Sequence, residues 1–123
     1  MGKTVLVVDD SSTIVKIVAF ALRDRGFDVM TASDGMEAME KMSKSESPVS
    51  LVITDLNMPN LDGYSLIDSL RNSPEHSETP IIILTSEAGE KDKERGKALG
   101  ASAYLVKPFK SSTLMAEVEK QLT

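Results

Sequence analysis

The sequence has no cysteine and no tryptophan, a single histidine, and only 4% aromatic residues. Without cysteine there is no disulfide, no thiolate-bound zinc and no cysteine nucleophile. The one histidine, His76, lies in a polar loop between Pro74 and Pro80 and reads as solvated rather than as a ligand or phosphate carrier. No apolar stretch is long enough to cross a bilayer. The run entered from Met1-Gly2-Lys3-Thr4 is too short for a signal peptide and meets two aspartates at once. A net charge of -5 disfavours nucleic acid or an anionic membrane as partner through bulk electrostatics. What is present is ordinary for a globular protein: 41% hydrophobic and 27% charged residues in a chain of 123. That length suits one domain, 1–123, and is too short for two. The expectation is a cytoplasmic protein.

The organising stretch is Leu51-Val52-Ile53-Thr54-Asp55, a short apolar run that ends on a carboxylate and hands over to a loop punctuated by Pro59 and Gly63. Such a run reads as a strand buried on both faces, with Asp55 where it leaves the core. Three more apolar runs end the same way: Val5–Val8 before Asp9-Asp10, Ile81–Leu84 before Thr85, and Tyr104–Val106 before Lys107-Pro108. In a parallel sheet these polar residues meet along one edge.

Between the runs the chain reads as helix. Ser11-Ser12-Thr13 offers caps for a helix carrying Ile14, Ile17, Val18, Ala21 and Leu22, stopped by Gly26. A strand over Phe27–Thr31 follows. Ser33 or Asp34 caps a helix with Met36, Met39 and Met42 on one side. After the third strand, Val49–Thr54, a helix over Gly63–Leu70 turns Leu66, Ile67 and Leu70 inward. The spacing predicts further helices over Ala88–Leu99 and Ser111–Leu122, around a last strand Ala103–Val106. Five strands alternating with five helices imply an α/β domain with a parallel sheet covered on both faces. The Ala88–Leu99 helix is unlike the others. Gly89–Lys97 has almost no apolar stripe and an internal glycine, which costs about 1 kcal/mol against alanine. It reads as a solvated, mobile element.

Asp9, Asp10 and Asp55 brought together repel one another unless a cation joins them. Oxygen ligands without histidine or cysteine suit a hard cation, and magnesium binds through one or two carboxylates while bridging to a phosphoryl group. Lys107 adds a fixed positive charge and Thr85 a hydroxyl. Phosphoryl transfer needs positioning and charge neutralisation more than acid–base groups. The set looks like a carboxylate nucleophile with its charge-stabilising neighbours. Singly, each residue has a plainer role: Asp9-Asp10 as helix caps, Asp55 in a loop cap, Thr85 and Ser86 capping the next helix, Lys107 in a turn. Their joint placement after four separate strands argues against that.

Val7-Val8-Asp9-Asp10-Ser11, Thr54–Gly63, Leu84-Thr85-Ser86-Glu87-Ala88 and Tyr104-Leu105-Val106-Lys107-Pro108-Phe109 together resemble the receiver domains of two-component response regulators, most nearly the single-domain chemotaxis branch. The resemblance spans essentially the whole chain. It implies a flavodoxin-like, CheY-like sheet in strand order 2-1-3-4-5. It implies Asp55 as acceptor of a phosphoryl group from a histidine kinase. It implies Mg2+ held by Asp10, Asp55 and the Asn57 backbone carbonyl, with Asp9 acting through water. Lys107 then pairs with phosphoryl oxygens, across a Lys107–Pro108 peptide that is often cis. Thr85 swings to the phosphoryl group and Tyr104 follows, remodelling a partner face on the fourth helix, fifth strand and fifth helix. Asn57 and Glu87 occupy the positions that tune dephosphorylation. The expected protein is a monomeric switch, not an enzyme, that signals through a protein target. Two alternatives stay open: a receiver piece of a larger regulator, and a small magnesium-dependent aspartyl-phosphate phosphatase. Leu56 stands where the chemotaxis proteins carry tryptophan, and the charged Gly89–Lys97 run is a second departure.

Overall fold

A computed structural model describes residues 3–123; Met1 and Gly2, where the reading of the N-terminus begins, lie outside the described residues. The elements alternate without exception: β1 (Thr4–Val8), α1 (Ser12–Asp24), β2 (Asp28–Ala32), α2 (Gly35–Lys44), β3 (Val49–Thr54), α3 (Gly63–Arg71), β4 (Ile81–Thr85), α4 (Glu90–Leu99), β5 (Ala103–Val106) and α5 (Ser111–Leu122). All strand pairs are parallel, in the order β2-β1-β3-β4-β5.

Alternation along each strand divides the core in two. Leu6, Val8, Val52, Ile81 and Ile83 face the side covered by α2 and α3, meeting Ala38, Met42, Leu66, Ile67 and Leu70. Val5, Val7, Leu51, Ile53, Ile82 and Leu84 face the other side, meeting Val18 and Leu22 of α1 and Leu114, Met115 and Val118 of α5. Both faces being covered, β1, β3 and β4 need unbroken apolar runs, which is what the sequence supplies. Each fully buried Leu or Ile contributes about 1.5–3 kcal/mol.

The helix starts follow their caps. Ser11 Oγ accepts the Ile14 N–H at 3.3 Å, Asp34 accepts the Glu37 N–H at 2.8 Å, and Asp62 accepts the Ser65 N–H at 2.8 Å. Four expectations need correction. β2 begins at Asp28, because the Phe27 N–H turns back to the Leu22 carbonyl. Ile17 is 45% exposed, since α1 buries Val18, Ala19 and Leu22 and Ile17 lies a step round the helix. Met36 is 61% exposed. It lies about 120° round the helix from Met42 at 3.6 residues per turn, so Ala38 and Met42 take the inward face instead. α4 begins at Glu90 rather than Ala88, and its N-cap, Gly89, provides no side-chain bond.

The internal glycine of α4 now has a reason. Gly96 is the one buried residue of that helix. A Cβ there would come within 2.7 Å of Ile83 Cδ1. α4 thus lies close on the sheet with no apolar stripe of its own.

Candidate functional site

The connections leave β1 toward β2 on one side and β3 on the other, so a crevice opens beyond the C-terminal ends of β1 and β3. Asp9 and Asp10 follow β1, and Asp55 follows β3. The backbone fixes both ends: the Asp9 N–H donates to the Ala32 carbonyl at 3.0 Å and the Asp55 N–H to the Val8 carbonyl at 2.9 Å. Side-chain oxygens of Asp9, Asp10 and Asp55 all lie within 4.8 Å of one another. Asp9 and Asp55 are buried and Asp10 is exposed, so the cluster opens to solvent on one side.

Lys107 reaches in from the end of β5. Its ammonium donates to Asp9 Oδ2 at 2.7 Å and Asp55 Oδ2 at 3.1 Å. The Lys107 N–H donates to the Thr85 carbonyl at 2.7 Å, which ties the lysine to the end of β4. The Lys107–Pro108 peptide is cis, as the resemblance implied. Burial alone would lower the lysine pKa, but the bonds to Asp9 and Asp55 outweigh it and the net shift is upward. Burial pushes the Asp9 carboxyl up; the Lys107 bond only partly opposes this, and Asp55 adds repulsion. Three carboxylates facing one ammonium leave an excess of negative charge. That excess, the all-oxygen donor set and the open side fit a hard divalent cation such as Mg2+.

The remaining candidates surround this centre. Thr85 closes β4, fully buried and paired with Val106. Asn57 donates its amide to Glu87 Oε1 at 2.7 Å, a bridge between the β3–α3 and β4–α4 loops. Tyr104, paired with Ile83, is half-buried and donates its hydroxyl to the Glu87 carbonyl at 2.7 Å. His76 lies apart from the cluster, in the α3–β4 loop near Thr79. A surface cleft of about 490 Å³ between α1 and α2 includes Asp9 and Asp10 but neither Asp55 nor Lys107, so it flanks the cluster rather than containing it.

Two supports were not legible in the sequence. Gly63 lets the start of α3 sit on the Asp55 backbone, where a Cβ would stand 2.1 Å from the Asp55 carbonyl oxygen. Asn60, at φ 66°, donates its amide to Asp34 Oδ2 at 2.6 Å and so fastens the β3–α3 loop to the start of α2. A left-handed asparagine among turn residues is a readable signal, but its partner across the fold is not.

The sequence model of the response regulator receiver domain matches residues 5–119. The chain belongs to the response regulator receiver family. This receiver domain is 36% identical over 118 residues to Protein PilG of Pseudomonas aeruginosa, covering 96% of this chain and 86% of that protein. It is 40% identical to the alkaline phosphatase synthesis transcriptional regulatory protein PhoP of Bacillus subtilis, covering 97% of this chain and 48% of that protein. Among solved structures, the chemotaxis response regulator CheY4 of Vibrio cholerae is 38% identical with a TM-score of 0.91, covering 99% of this chain and all of that one. Receiver domains are signalling switches of two-component systems, acting between histidine kinases and downstream targets. Among the described residues, no helix is long and apolar enough to cross a membrane.

Proposed function

We propose that this receiver domain, spanning residues 1–123, is a cytoplasmic, monomeric switch turned on by phosphorylation of Asp55. The observation that carries the reading is the Lys107 ammonium bonded at once to Asp9 and Asp55, at the mouth of a three-carboxylate cluster. Attack by an Asp55 oxygen on a phosphohistidine forms an acyl phosphate as the phosphorus–nitrogen bond breaks, and the departing imidazole takes up a proton. Asp10, Asp55 and the Asn57 carbonyl would hold Mg2+, with Asp9 supporting it through water; bound there, it supplies charge neutralisation at the phosphoryl oxygens. Lys107 carries the same kind of charge from the other side. It is already held at the acceptor and needs no large reorientation.

The phosphoryl group adds charge and three strong acceptors. Thr85, at the end of β4, provides the hydroxyl that meets one of them. Tyr104, paired with Ile83 two residues before Thr85 and so on the same face of the sheet, couples that movement to the surface formed by α4, β5 and α5, where the protein target binds. The modification biases an existing equilibrium between arrangements of these two side chains. The likeness to a chemotaxis regulator, with Asn57 and Glu87 bonded beside the acceptor, supports a chemotaxis-type pathway and a short-lived acyl phosphate.

Incubation with acetyl phosphate and Mg2+ tests the reading. Mass spectrometry should find one phosphoryl group per chain, labile to hydroxylamine and absent from Asp55→Asn. A label that persists in that variant overturns the assignment. Sustained turnover of unrelated phosphate esters would favour a phosphatase instead.

A further inference from the structure

Of the residues of α4 only Gly96 is buried, so little apolar burial holds that helix in place. Polar links to α3 fasten it, one at each end. At its C-terminal end, Arg71 donates from Nε and Nη2 to the Gly100 carbonyl at 3.1 and 2.7 Å. The same side chain donates from Nη1 to the carbonyls of His76 and Thr79 at 3.0 and 2.7 Å. In its first turn, the Tyr64 hydroxyl donates to Asp92 Oδ1 at 2.9 Å, and from the middle of the helix the Arg95 guanidinium lies 3.9 Å from the centroid of the same ring. Burial, then the Asp92 bond, pushes the Tyr64 hydroxyl up to about 12, so it remains a donor at any ordinary pH. The Arg71 end is spread over several bonds. The Tyr64 end depends on one hydroxyl and one stacked cation.

Tyr104 lies beneath this helix. A Cβ on Gly96 would stand 3.5 Å from the Tyr104 ring, and the ring hydroxyl is held by the Glu87 carbonyl just before α4 begins. Gly96 therefore sets how closely α4 approaches the tyrosine.

We infer that Tyr64 is a positioning residue for the Tyr104 switch: through Asp92 and Arg95 it holds α4 down over Tyr104 and favours the Glu87-bonded position of that ring. The inference rests on the switch reading above and adds a residue to it. The bonds of Tyr64, Asp92 and Arg95 do not reach Asp9, Asp10, Asp55 or Lys107, so breaking the latch leaves the carboxylate cluster in place. Linkage sets the consequence. The latch favours the arrangement that a phosphoryl group selects, so its loss weakens binding of a phosphoryl mimic by up to the factor by which that equilibrium shifts.

The chain has two tyrosines, so 3-fluorotyrosine gives one fluorine signal each, and Tyr64→Phe assigns the other to Tyr104. In unliganded Tyr64→Phe and Asp92→Ala, each of which removes one partner of that bond, the Tyr104 signal should become more accessible to a soluble paramagnetic agent. Beryllofluoride affinity, measured at saturating Mg2+, should fall about threefold to tenfold, the factor that one hydrogen bond of ordinary net worth supplies. Affinity for Mg2+ alone should not change. The double variant should lose no more than either single one, since both remove the same bond. An unchanged Tyr104 signal and unchanged beryllofluoride affinity, with only a lower melting temperature, would make Tyr64 a structural residue and overturn the inference. Parallel loss of Mg2+ affinity would overturn it too. Failure of the unsubstituted protein to bind beryllofluoride would instead defeat the Asp55 reading, while the unliganded fluorine comparison still decides the latch.

Discussion

Gly63 rests directly on the backbone of Asp55. A Cβ at Gly63 would lie 2.1 Å from the Asp55 carbonyl oxygen and 2.8 Å from the Leu56 Cα, and the Gly63 N–H donates to the Leu56 carbonyl at 2.9 Å. The start of α3 and the end of β3 therefore locate each other, and the proposed phosphoacceptor takes its position from both. The clash is with main chain, which no rotamer change relieves. Gly63→Ala should destabilise the fold by about 1–3 kcal/mol, the usual range for overpacking. Urea denaturation measures that cost. Acetyl phosphate labelling at a temperature where the variant is still folded should be slower than in the unsubstituted protein, and an unchanged rate would show that Asp55 is placed without α3.

The carboxylate cluster yields a second prediction. A ligand that binds only the folded state stabilises it by about 2.7 kcal/mol at a hundred times its Kd. Mg2+ at that excess should raise the melting temperature by several degrees, and K+ at matched ionic strength should not. Asp10→Asn removes a carboxylate that is exposed and outside the Lys107 bonds. The variant should fold as well as the parent in the absence of divalent ions and lose most of the Mg2+-dependent rise. Calorimetry with and without EDTA makes the comparison, and a full Mg2+ response in the variant would remove Asp10 from the ligand set.

The strands and the site centre were legible for a common reason. β1, β3 and β4 are buried on both faces, so their apolar runs are continuous, and the polar residue after each run marks where the core ends. Asp9, Asp10, Asp55, Thr85 and Lys107 are visible by that transition alone. What stayed hidden are contacts between residues that no local pattern links. Asn60 to Asp34 and Tyr64 to Asp92 depend on which loops and helices become neighbours, and period and capping rules say nothing about that. Inward faces were misread where apolar residues outnumber inward positions. Ile17 and Met36 are apolar and exposed, at 45% and 61%, because α1 and α2 each touch the sheet along a narrower stripe than their composition suggests.

The start of α2 sets the direction of a pH effect. Asp34 accepts the Glu37 N–H and the Asn60 amide, which hold its carboxyl below the ordinary carboxylate value. Glu37 accepts the Ser33 N–H and hydroxyl and is lowered as well. Both groups are stronger acids folded than unfolded. Their contribution is complete above their unfolded values, about pH 4–5, and is lost as pH falls through the lower folded values. Asp34→Asn with Glu37→Gln should lower stability at pH 7 and converge on the parent toward pH 3, giving a flatter acid limb. Asp9, raised by burial, has the opposite sign but is common to both proteins and cancels in the difference. Urea midpoints across that range test the slope; parallel curves would mean that the caps do not titrate as described.

Arg71 provides a test in which charge and geometry separate. Its guanidinium serves three carbonyls, those of Gly100, His76 and Thr79, and thereby joins α3 to the end of α4 and to the loop leading into β4. Gly100 itself ends α4 at φ 111°, where a Cβ would meet the Arg71 side chain at 2.7 Å, so the turn and the arginine are fitted to each other. Arg71→Ala leaves those carbonyls without their charged donor and should cost about 2 kcal/mol or more. Arg71→Lys keeps the charge but has no planar fork to reach carbonyls in different directions, so it should recover only a minor part of that loss. Chemical denaturation of the two variants side by side makes the measurement. Full recovery in the lysine variant would show that a point charge near the C-terminus of α4 is enough, and that the directed bonds contribute little.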